Sequence, residues 1–188
     1  MPAWLTPEQY AVIEAACDRL IPAGGAHPGA RALGVADYID GLLGAFTVTP
    51  PRIWAGGPFS GRAGGEASFD RYLELSPVEE LAWRIRIEGS RGIPEREFNG
   101  PVTGWQERYI EGIGSLGSDF TELPAIDQDA RLDAVPDFKA LLYQHACEGA
   151  YAAPEYGGNR GGAAWDAVQF PGDAQPRGYS DEEVSGSE

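Results

Sequence analysis

Apolar residues recur at helical spacing along most of this chain, and no segment alternates at period two for more than a few residues. That pattern excludes a sheet-based fold and predicts an all-α domain. The clearest instance is the first. Thr6 is a good N-cap, Pro7 suits the first helical position, and Gln9 can close a capping box. Leu5 and Tyr10 have the spacing of a hydrophobic staple. Ile13, Cys17 and Leu20, with Tyr10 and Val12 beside them, form one apolar stripe that Pro22 ends.

Further helices follow by the same logic. One is expected from Ala30 to Phe46, burying Val35, Ile39, Leu42, Leu43 and Phe46 and turning Asp37 and Asp40 to solvent. Ser76, Pro77 and Glu79 repeat the capping box before a helix whose face is Val78, Leu81 and Ile85. Others are expected from Gly104 to Leu116, from Ala125 to Val135, and from Asp137 to Tyr151 with Phe138, Leu141, Leu142 and Cys147.

Two stretches break the pattern. Thr47–Phe69 is rich in Gly, Pro and aromatics, and Pro154–Asp173 reads PEYGGNRGGAAWDAVQFPGD. Loops of such length are either functional or disordered, and their aromatics seek burial. The expectation is one domain over residues 1–188 with long irregular loops, an extended C-terminal arm and a frayed acidic tail from about residue 175. The chain holds 26 glycines and 15 prolines, which suits such loops.

Charge narrows the function. A net charge of −15 repels phosphate backbones, so nucleic acid is not an expected ligand, while a basic protein partner is allowed. No apolar run is long enough to span a bilayer, and MPAWLTPEQY carries no leader signature. The expected location is the cytoplasm, or the periplasm if a leader has been removed. The two cysteines, Cys17 and Cys147, are either reduced and buried, bridged to each other, or bridged from Cys147 to a partner.

Candidate chemistry is sparse. Gly112–Gly117 matches G-x-G-x-x-G but lacks a preceding strand, and reads better as a glycine that lets another element approach a helix. Asp127, Asp129, Asp133 and Asp137 lack the glycine and glutamate of a calcium loop, with Leu132 and Phe138 at those positions. His27 and His145 have no ligand-spaced neighbours, and His145 reads as a packing residue. Ser115 is not framed as a nucleophile elbow. No catalytic, cofactor or metal residue is assigned. The aromatic loop residues fit either burial on this chain's own helices or anchors of a protein–protein interface. The candidate partner-binding set is Trp54, Phe59, Tyr156, Gly157, Gly158, Asn159 and Trp165.

The two ends of the chain carry a family resemblance. Ile21–Pro22, then Gly34, Val35, Tyr38, Ile39 and Asp40, and finally Pro154, Tyr156–Asn159, Trp165 and Phe170–Gly172 form motifs that resemble the gluconate 2-dehydrogenase subunit 3 family. The resemblance covers most of the chain and is weakest between Thr47 and Gly104. It implies a small, non-catalytic subunit that stabilises a large FAD-dependent flavoprotein of the glucose–methanol–choline (GMC) class, which oxidises a sugar, sugar acid or glycoside. FAD belongs to that partner, and many such complexes add a cytochrome c. Family members usually bear a twin-arginine leader, which this sequence does not show before Trp4. A transient maturation chaperone and an independent enzyme are the alternative readings.

Overall fold

The computed structural model describes residues 3–55 and 73–170. Eight α-helices occur among them: α1 Pro7–Leu20, α2 Gly29–Leu33, α3 Val35–Leu43, α4 Pro77–Glu88, α5 Trp105–Leu116, α6 Ala125–Asp133, α7 Pro136–Tyr151 and α8 Ala163–Ala167. Short 3₁₀ turns link several of them. The described residues contain no β-strand, although Gly24 and His27 pair in an isolated bridge. The all-α expectation holds.

Both predicted capping boxes form. Thr6 Oγ1 accepts from Gln9 N at 3.2 Å while Gln9 Oε1 accepts from Thr6 N at 3.0 Å. Ser76 and Glu79 make the same reciprocal pair at the start of α4. Each box satisfies helix N–H groups that have no partner within the helix.

The core lies where α1, α3, α5 and α7 meet. Val12, Ile13, Ala16 and Cys17 face it from α1, and Val35, Ile39 and Leu43 from α3. Tyr109, Ile113 and Leu116 enter from α5, and Leu141, Leu142, Ala146 and Ala150 from α7. Leu132 of α6 and Phe120 close one end. Gly112 lets α7 approach α5, because a Cβ there would be driven into the Phe138 ring. Cys17 is buried and Cys147 half-buried, and both are free thiols. Burial pushes the Cys17 thiol pKa well above its usual value.

Three expectations need correction. The helix predicted over 30–46 is broken at Gly34, which adopts φ +71° and both ends α2 and begins α3. Only glycine takes that left-handed turn freely, and the Arg160 side chain lies where a Cβ would project. Asp40 does not face solvent. It is 4% exposed, and its carboxylate accepts backbone N–H groups from Ala3, Trp4 at 2.9 Å and Leu5 at 2.7 Å. A buried carboxylate is tolerated because those donors replace water. Val78 is 77% exposed while Leu81 and Ile85 are half-buried, so α4 covers only part of the predicted face. It docks through its C-terminal half, where Ile87 joins Ala45 and Ile53 in a small second core, with Trp83 and Trp105 packed edge to face beside it.

The core also holds a polar pair. Tyr109 Oη lies 2.9 Å from His145 Nδ1, with the rings stacked and Trp105 against the imidazole. His145 is fully buried, and its Nε2 has no hydrogen-bond partner among the described residues. Burial lowers its pKa to about 4, so it is a neutral packing residue at physiological pH.

Candidate functional site

The C-terminal arm carries more regular structure than its sequence suggests. Pro154–Tyr156 and Arg160–Gly162 form 3₁₀ turns, and Ala163–Ala167 forms α8. Special residues hold it to the body. Gly157 adopts φ +100°. At Gly158 a Cβ would strike the Gly149 carbonyl oxygen, so the arm backbone runs directly over α7. Gly149 itself is pressed from the other side by Tyr38, whose ring would stand 2.9 Å from a Cβ there.

Asn159 is fully buried and takes the left-handed conformation, φ 42° and ψ 48°. Its Nδ2 donates to Ala152 O at 3.0 Å, and its Oδ1 accepts from Ala164 N at 3.0 Å. One side chain thus satisfies the end of α7 and the start of α8. Trp165 Nε1 donates to Tyr151 O at 2.8 Å, and its ring meets Phe170 edge to face. Arg160 pairs with Asp37 of α3, across 123 residues of sequence.

This docking builds one wall of a groove of about 720 Å³. Glu155, Tyr156 and Gly157 form that wall. Pro7 and Tyr10 of α1, Asp37, Tyr38 and Leu42 of α3, and Arg52, Ile53, Trp54 and Trp83 line the rest of the groove. Trp54 and Tyr156 meet edge to face at 6.0 Å. Tyr10 Oη donates to Asp37 Oδ1 at 2.6 Å, and Tyr38 Oη to Glu148 Oε2 at 3.1 Å. Burial, reinforced by Asp37 and Glu148 respectively, pushes both phenol pKa values well up. Both hydroxyls stay protonated and act as donors.

The structure therefore distributes the candidate residues. Trp54, Tyr156 and Gly157 converge on the groove. Gly158, Asn159 and Trp165 lie behind it and hold the arm in place. Phe59 lies outside the described residues. The sequence reading missed Tyr10, Asp37, Trp83 and Glu155 as groove residues. A signal existed in Asp37 and Asp40, two carboxylates three positions apart on a helix that is otherwise apolar. Among the described residues no cluster of His, Cys, Asp or Glu could hold a metal ion, and no helix is long and apolar enough to cross a membrane.

A family model described as gluconate 2-dehydrogenase subunit 3 matches residues 7–172, from the first helix through the arm. The chain belongs to the gluconate 2-dehydrogenase subunit 3 family. As a member it is an accessory subunit of a dehydrogenase complex. Comparison with curated proteins and with solved structures returned no match. The matched span takes in every described residue that lines the groove except Ala3.

Proposed function

We propose that this subunit is non-catalytic and binds and stabilises the large, FAD-dependent subunit of a GMC-type dehydrogenase acting on a sugar, sugar acid or glycoside. FAD and the hydride chemistry belong to that partner, and a cytochrome c would be a third component. The observation that carries the reading is the aromatic groove, whose described lining lies within the family-matched residues apart from Ala3. Trp54, Tyr156 and Trp83 beside Ile53 and Leu42 give the aromatic and aliphatic lining that interface centres favour. The acidic balance of the chain suits a partner with a basic face.

The test is co-expression with the large subunit, followed by size exclusion read at flavin wavelengths. A stable yellow complex containing both chains is expected. Removing the residues after Ala153 takes away the arm wall, and the complex should then be lost. A truncated chain that still co-elutes with the flavoprotein would refute the role of the arm. A flavoprotein that elutes alone and active would instead make this chain a transient maturation chaperone.

A further inference from the structure

Among the described residues that line the groove, one solvent-shielded side-chain oxygen has no hydrogen-bond partner. Oε2 of Glu155 is shielded from solvent and accepts no hydrogen bond among the described residues. The other carboxylates of the groove are committed. Asp37 accepts from Tyr10 and pairs with Arg160, and Asp40 accepts three backbone N–H groups. Arg52, the guanidinium that lines the groove, leaves Glu155 Oε2 unpaired. A shielded carboxylate oxygen without a donor is costly, and a charged donor is its best match.

We propose that the groove receives an arginine side chain of the large subunit, with the guanidinium on Glu155 and its stem along Trp54 and Tyr156. The inference rests on the accessory-subunit reading above and names what that partner inserts. Arginine fits better than lysine on three counts. Its guanidinium is weakly hydrated and loses less on entering an apolar-walled site. Its planar fork can hold a carboxylate, and its face can stack on an indole or phenol ring. Arginine is also enriched where aromatic residues form the centre of an interface. The net charge of −15 draws a basic surface toward the subunit, and Glu155 then fixes where one cation seats.

The experiment uses the intact two-subunit complex, with the co-expressed flavoprotein subunit as the probe. Affinity and off-rate are measured for the wild type, Glu155→Gln, Arg52→Ala and the control Glu122→Gln, an exposed acid in the turn before α6. Glu155→Gln should weaken the complex by at least about 30-fold, chiefly through a faster off-rate. The Tm of the free subunit should not fall, because the change is isosteric and breaks no hydrogen bond to Oε2 among the described residues. Glu122→Gln should stay within about threefold of wild type, the range of a rim charge, and Arg52→Ala should cost less than Glu155→Gln. An unchanged affinity for Glu155→Gln overturns the inference and leaves the accessory-subunit reading standing. Equal losses for Arg52→Ala and Glu155→Gln also overturn it, since Arg52 would then be the internal partner of Glu155. Failure of the wild-type chains to associate sinks both readings.

Discussion

Replacing Asn159 with alanine tests how the arm is held. The variant removes the donor to Ala152 O and the acceptor of Ala164 N, leaving both backbone groups in place without partners. Ala164 is fully buried, so its N–H incurs the full penalty of about 1–3 kcal/mol. Ala152 is only half-buried, and water can replace part of its loss. Together the two come to about 3 kcal/mol. Alanine must also adopt the left-handed conformation at φ 42°, which adds about 1 kcal/mol. The sum is about 4 kcal/mol, and at roughly 2–4 °C per kcal/mol it corresponds to a Tm drop of about 8–16 °C if the arm melts with the core. Asn159→Gly relieves the backbone strain alone and should recover no more than about 1 kcal/mol. The assay pairs thermal unfolding with limited proteolysis. If the arm detaches before the core melts, the Tm falls less and cleavage between α7 and α8 rises instead. An Asn159→Ala protein within about 0.5 kcal/mol of wild type and equally resistant to protease would refute the reasoning.

Asp40→Ala orphans the N–H groups of Ala3, Trp4 and Leu5 and should cost about 2–4 kcal/mol, most of it from the buried Leu5 N, as read by chemical denaturation. Asp40→Asn should recover only part of that loss. His145 is held neutral by burial, with its pKa lowered to about 4 from a usual 6.5. Between those values the unfolded chain binds a proton that the native state refuses. Stability should therefore fall as pH drops through that window, by up to about 1.4 kcal/mol per pH unit. His145→Gln should lack that share of the slope in urea denaturation at stepped pH, and identical slopes would contradict it.

What was legible in the sequence was local. The caps at Thr6 and Ser76 form as read because each involves residues within one turn. Gly112 was legible too, since a glycine inside an amphipathic helix has few other reasons to be there. The break at Gly34 was not, because its flanks keep helical periodicity and the side chain that excludes a Cβ comes from Arg160. Asp40 misled because its three donors come from a segment that carries no pattern of its own. Val78 misled because periodicity gives a face and not the length over which that face is covered. The five-residue α8 lacks the span over which an apolar period can be read. Gly158 and Asn159 stood in the candidate set as residues of the arm, but Gly149, Ala152 and Ala164, which they meet, carry no pattern that names them.

The ion pair between Asp37 and Arg160 has a bearing on biosynthesis. Residues of α1 and α3 line the groove together with residues 155–157. During translation the early helices leave the ribosome long before the segment that completes the recess. A nascent chain, or one cut short before Gly157, lacks a wall and presents no finished recess. On the docking proposed above, engagement of the partner would report that the subunit has been made to that point and has folded, and the groove would serve as a checkpoint on completeness, set by how far apart its lining residues lie along the chain.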